Sequence, residues 1–152
     1  LEPLWLMAQS VPSASLVPCV QLLPVGWSVA EVAVNDGRSV ITLHHDRAGK
    51  RAVVVRLTAA CDLAGATEVT SEQSGARRYL RIDRTSTEFS ATRAYTFSGG
   101  CVTQRFRAAG PSALRLSDTA STEFGFITRE ELRQALSQRS DGRLELDPDQ
   151  AR

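Results

Sequence analysis

The hydrophobic pattern of the chain is organised around Ala94 to Arg107, where Tyr95, Phe97, Val102, Thr103 and Phe106 flank Ser98-Gly99-Gly100. Such residues suit a pleated, half-buried surface, and adjacent glycines accept positive φ at a turn, so the stretch predicts a β-hairpin. Tyr95 and Phe97 share one strand face, as do Val102 and Phe106, so both arms can point at one core.

Upstream, Trp27 to Val34 has apolar residues at 29, 32 and 34, an imperfect alternation that predicts a strand with a bulge near Glu31. Asn35-Asp36-Gly37 is a tight-turn signal, and Arg38 to His45 reads as the returning strand. Asp46-Arg47-Ala48-Gly49 turns the chain again into Arg51 to Thr58, whose Ala-Val-Val-Val run predicts burial on both faces. These three strands form an antiparallel meander. Cys61 to Gly65 interrupts the pattern, Thr67 to Thr70 restarts it, and Arg78 to Asp83 follows the polar loop Ser71 to Gly75. Thr85 to Ser90 then leads into the strand Thr92 to Phe97, which makes about seven strands between Trp27 and Arg107.

The two ends differ from this middle. Prolines at 3, 12, 18 and 24 forbid a long helix and favour extended segments over residues 1–26. Leu4, Trp5, Leu6 and Met7 are expected as a strip covering the core, with room for a short helical turn; the alternative is a membrane-adjacent patch. After Gly110-Pro111, apolar residues at 113, 116, 120 and 124 predict a helix capped by Ser112. Gly125-Phe126-Ile127 ends it, and Thr128-Arg129-Glu130-Glu131 is a capping box for a second helix from Arg129 to Gln138 with Leu132, Ala135 and Leu136 on its apolar side. Arg143 to Leu146 fits a short edge strand before a polar tail at 147–152. The fold class predicted is α+β: an antiparallel sheet of about six to eight strands over 27–108, with a half barrel as one form of it, and two helices within 111–139 packed on it as a single domain.

The length of 152 residues is enough for one real core, and 42% apolar with 23% charged residues excludes disordered and collagen-like chains. Formal net charge is +1, so there is no global field to gather nucleic acid, and none is expected as a partner. Among 18 basic residues only Lys50 is lysine. No stretch approaches 18 uninterrupted apolar residues, so a membrane is reached only through a segment outside this sequence; the apolar start at Leu1 without a Met leads us to expect an upstream signal or anchor helix.

Cys19, Cys61 and Cys101 have no C-x-x-C spacing, which argues against zinc, iron-sulfur and thioredoxin-like sites. One disulfide and one odd thiol is the arithmetic. Cys61 to Cys101 is the favoured pair, closing a loop of about 40 residues that a chain-entropy estimate values at roughly 4 kcal/mol; Cys19 with either is the competitor.

His44-His45-Asp46 holds the only histidines. Consecutive strand residues face opposite ways, so the two imidazoles do not readily share a metal, and an enzyme using His44 or His45 in a cleft stands as the alternative reading. There is no Gly-x-Ser-x-Gly elbow, no Gly-x-Gly-x-x-Gly and no Gly-Lys-Ser/Thr, and nothing calls for a cofactor. Arg77, Arg78, Arg81, Arg84, Arg93, Arg105, Arg107 and Arg115 form one local charge excess. In the plain reading they sit on a solvated sheet face with Glu68, Asp83 and Glu88 as partners, each pair contributing about 0 to 1 kcal/mol. In the sharper reading Arg78, Arg81, Arg105 and Arg107 line a face for an anionic ligand or polymer.

Ala8 to Ala14, Val17-Pro18-Cys19, Leu23-Pro24-x-Gly26-Trp27, Gly99 to Thr103 and Gly125-Phe126 together resemble uncharacterised extracytoplasmic domains of actinobacterial membrane-anchored proteins. The resemblance implies a preceding transmembrane helix, a location in the cell envelope, no known catalytic residues, and structural roles for the cysteines. The function expected is a non-catalytic envelope module that binds a protein partner or a cell-wall or lipid component; a structural spacer of a membrane protein is a further alternative.

Overall fold

The computed structural model describes residues 2–20, 23–84, 88–109, 113, 115–117 and 124–147. Helix α1 (Glu2–Ser10) leads into strand β1 (Leu16–Val20), followed by β2 (Trp27–Asn35), β3 (Arg38–His45), β4 (Gly49–Thr58), β5 (Thr67–Val69), β6 (Ala76–Arg84), β7 (Glu88–Phe97), β8 (Gly100–Ala109), β9 (Phe124–Thr128) and helix α2 (Arg129–Arg139). The fold is α+β. Seven strands make one antiparallel sheet in the order β2-β3-β4-β8-β7-β6-β5, which is not closed, and β1 and β9 make a separate two-stranded sheet.

The large sheet is two meanders joined at its centre. β2, β3 and β4 run in sequence from one edge, β5 to β8 run in sequence from the other, and β8 pairs with β4 from Val53↔Phe106 to Thr58↔Cys101. The bulge expected near Glu31 is present, as a register shift between Val29 and Glu31. Asn35 and Arg38 pair across the turn that holds Gly37 at φ 81°, and Ala52 to Val55 are buried as their apolar run predicts. The β7–β8 hairpin closes at Phe97↔Gly100, with Gly99 at φ 73°. A Cβ on Gly99 would fall on the Ser13 carbonyl, so this turn tolerates nothing larger than glycine.

One face of the sheet carries Ile41, Leu43, Val53, Val55, Leu57, Val102 and Phe106 into a single hydrophobic cluster, which α1 completes with Met7 and Ala8, the residue just past it with Val11, and α2 with Leu132 and Leu136. Here the ends depart from the sequence reading. The strip at residues 4–7 is part of a nine-residue helix, because Pro3 sits in its first turn, where a missing N–H costs no intrahelical bond, and Pro12 lies past its end. It covers the core as expected: Met7 and Ala8 are buried, and Trp5 Nε1 donates to the Glu145 carbonyl at 2.9 Å. Pro18 is tolerated in β1 because a two-stranded sheet leaves each strand one free edge.

Phe124 does not end a helix; it opens β9, in register with Val20 of β1. The remainder of the helix expected from Ser112 lies mostly outside the described residues. Arg143 to Leu146 forms no strand: the segment runs irregularly and anchors itself through the buried Leu146. α2 begins where its capping box places it, with the Thr128 hydroxyl accepting from the Glu131 N–H at 3.1 Å and the Glu131 carboxylate accepting from the Thr128 N–H at 2.9 Å.

Candidate functional site

With one face of the sheet committed to the core, strand alternation turns Arg56 of β4 and Arg105 and Arg107 of β8 to the other. Val54 opposes Arg105 and Arg56 opposes Thr103, so the β4–β8 pairing sets these side chains on adjacent strands. Arg38 of β3, opposite Thr58, lies on the same face. Gly49-Lys50-Arg51, at the start of β4, adds two more cations beside them.

Lys50, Arg51, Arg56, Arg105 and Arg107 line a cavity of about 230 Å³ over Ala48 and Val54, and Glu88 of β7 is the acidic residue in its wall. Glu88 is committed to Arg107: Nε and Nη2 of the guanidinium donate to its two oxygens at 3.2 and 3.3 Å. Among the described residues, Lys50, Arg51, Arg56 and Arg105 form no ion pair. Burial, followed by the like charges of Arg38, Arg105 and Arg51, lowers the pKa of Arg56 from its ordinary value.

The backbone contributes as well. Arg51 takes a left-handed φ of 56°, unusual for a residue with a Cβ, and its N–H donates to Nδ1 of His44 at 2.8 Å. That bond fixes the point from which the Arg51 side chain enters the site.

The four arginines singled out from sequence do not form one site. Arg105 and Arg107 lie in the cavity. Arg81 shares their face, since Thr92 pairs with both Arg81 and Arg105, but it sits two strands from Arg105 and is held by Asp83 at 2.6 Å and the Ala64 carbonyl at 3.2 Å. Arg78 projects from the opposite face, opposite Tyr95, and pairs with Glu72 at 3.2 Å. Arg78 and Arg81 are three residues apart on one strand, an odd spacing that separates them by face. Arg93, also in the sequence's charge excess, is buried on the core side and donates to the Ser117 carbonyl at 3.2 Å. The three acidic partners suggested by sequence are each paired, Arg77 with Glu68, Arg81 with Asp83 and Arg107 with Glu88, while Glu72, the partner of Arg78, was not among them.

His44 and His45 turn to opposite faces of β3. His45 is buried against Trp27, ring centroids 4.6 Å apart, with Nδ1 accepting from the N–H groups of Arg47 and Ala48. Neither ring meets a carboxylate or a thiol in the hydrogen bonds of the described residues, and no three metal-binding side chains converge there. Cys61 and Cys101 form a disulfide across the β4–β5 connection and the start of β8, Cα atoms 5.9 Å apart. Cys19 is outside that bridge, half-buried in β1 opposite Gly125.

Comparison of the chain with protein-family models, with curated proteins and with solved structures found no match.

Proposed function

We propose that this chain is a non-catalytic module of the cell envelope, tethered to the membrane as its sequence resemblance implies, that binds an anionic cell-wall or lipid component, or an acidic protein partner, on the cationic face of its sheet. The observation that supports it is the gathering of five cations and one carboxylate around a single cavity in a chain whose net charge is only +1. Such a cluster repels itself, and an anion in the cavity offsets that repulsion. The walls offer hydrogen-bond donors in quantity and, apart from the carboxylate tied to Arg107, no acid or base. An extracytoplasmic location is compatible with the Cys61–Cys101 disulfide, since such bonds persist in oxidising compartments.

The test is binding of fluorescently labelled polyphosphate and polyglutamate to the wild type, to an Arg56→Gln/Arg105→Gln double variant, and to Arg78→Gln as a control on the opposite face. Wild type and Arg78→Gln are expected to bind at least one of the polymers with an affinity that falls as salt rises, and the double variant to lose about tenfold or more. Equal binding by the double variant, or none by the wild type, overturns the proposal.

A further inference from the structure

Resting on that reading of the cationic face, the cavity also constrains which anionic group it takes. It already contains a carboxylate. Glu88 lies flat against one guanidinium, and both of its oxygens are used by Arg107. Four further cations approach from different places: Lys50 and Arg51 from the start of β4, Arg56 from near its end, and Arg105 from β8.

A planar carboxylate answers one fork, as Glu88 does, whereas tetrahedral phosphorus spreads its oxygens out of any one plane: a monoester offers up to about two negative charges and three terminal oxygens, a diester one charge and two. Guanidinium groups match such oxygens in pairs. The volume of about 230 Å³ falls below the roughly 300 to 1,000 Å³ of pockets that enclose a whole drug-sized ligand, so it suits a charged group whose remainder stays outside. The left-handed backbone of Arg51, fastened by His44 at 2.8 Å, is the kind of local strain that persists where a side chain must be aimed in advance.

We infer that this cavity receives the phosphoryl group of a phosphate monoester or diester between Arg56 and Arg105, with Lys50 and Arg51 closing over it and Glu88 as a built-in competitor that occupies Arg107. A monoester is the chemistry of a small soluble phosphate; a diester is that of a polymer link or a lipid headgroup.

Titrations of the intact protein with inorganic phosphate, dimethyl phosphate and sodium acetate, at matched ionic strength and followed by the Nε–H resonances of the arginines, test this. Inorganic phosphate or dimethyl phosphate is expected to shift Arg56 and Arg105 saturably, with an affinity about tenfold or more above that of acetate; the tighter of the two identifies a monoester or a diester source. Arg56→Gln and Arg105→Gln each lose about tenfold, while Arg78→Gln is unchanged. Glu88→Gln binds phosphate more tightly than the wild type, a gain that a misfolded variant cannot produce. Acetate bound as tightly as both phosphates overturns phosphoryl selectivity while leaving an anion-binding face intact. Phosphate that shifts no cavity arginine overturns the inference even where the polyanions bind. Phosphate bound in the cavity alongside polyanions that do not bind upholds the inference and overturns the proposed envelope role.

Discussion

Arg129 opens α2, but its guanidinium serves another element. Buried to 3% exposure, it donates from Nε to the Asp147 carbonyl and from Nη1 to the Ala8 carbonyl, both at 2.9 Å, with longer contacts at 3.4 Å to the carbonyls of Val11 and Ala14. The last turn of α1 has no basic residue of its own, so this cation, 121 positions away, supplies the charge its C-terminal carbonyls favour. Arg129→Met leaves the buried Ala8 carbonyl without this donor and loses the tie to Asp147, and is expected to cost about 1 to 3 kcal/mol in urea unfolding, with Arg129→Lys recovering part of it. A methionine variant within about 0.5 kcal/mol of wild type would contradict this assignment. Tyr95 makes a second residue-scale prediction. Burial, then its 2.7 Å hydrogen bond to Glu72, pushes its pKa from 10.0 up to about 12. A phenol that resists ionisation in the folded state contributes stability that is complete below its ordinary pKa and is lost as pH rises toward 12. Glu72 works in the opposite sense: burial alone would raise it, but the Tyr95 hydroxyl, its own backbone N–H and Arg78 outweigh burial and hold its carboxyl low, so its contribution is lost as pH falls into the acid range. Tyr95→Phe should therefore flatten both limbs of the stability–pH curve, and a variant whose curve merely shifts downward in parallel would refute the coupling.

Legibility differs from element to element for reasons of partner and distance. β8 declares itself, because Val102, Gln104, Phe106 and Ala108 point inward and Arg105, Arg107 and Ala109 outward with unbroken period 2. The β2 bulge, the β2–β3–β4 meander and α2 were equally visible, since turn residues and a capping box are local chemistry. α1 and β9 were not. α1 is apolar on most sides and flanked by prolines, and its helical state depends on seats provided by β2, β3 and α2, which no local window contains. β9 pairs only with β1, over a hundred residues earlier, and Phe-Gly-Phe-Ile carries too little pattern to be told from a helix end. The disulfide is the element-scale feature with a measurable consequence. Cys61 lies on the connection that carries the chain from central β4 to edge strand β5, and Cys101 stands opposite Thr58 in β8. Joining them fixes a connection otherwise held mainly by turns. Replacing both by serine, or reducing the bond, is expected to lower stability by about 2 to 5 kcal/mol. An unfolding midpoint that does not move in dithiothreitol would show the bridge to be thermodynamically idle.

At the scale of the whole molecule, the sheet has one face committed to the core and one bearing a concentrated charge. Two of the five cations were readable: Arg105 and Arg107 sit at outward positions of a recognisable strand. Lys50, Arg51 and Arg56 were hidden, because their nearness to β8 follows from β4 pairing with β8, a contact across 43 (Thr58 to Cys101) to 53 (Val53 to Phe106) residues of sequence that no periodicity encodes. The same long pairing that builds the core thus assembles the cavity. A cluster of this kind works against the fold that carries it, since Arg56 gains nothing from the like charges of Arg38, Arg51 and Arg105. If the cluster is retained for a ligand, removing its central charge should stabilise the chain while weakening binding about tenfold, the trade-off expected of a functional site. Arg56→Gln is accordingly expected to raise the unfolding free energy measured in urea at low ionic strength by about a few tenths of a kcal/mol after solvent screening, and the gain should shrink as salt screens the remaining cations. Phosphate, if it occupies the cavity, should stabilise the wild type beyond what chloride does at equal ionic strength and stabilise the variant less at the same concentration. A variant less stable than wild type at low salt would mean that Arg56 belongs to the structure of the sheet, and the charge on that face would then need no ligand to account for it.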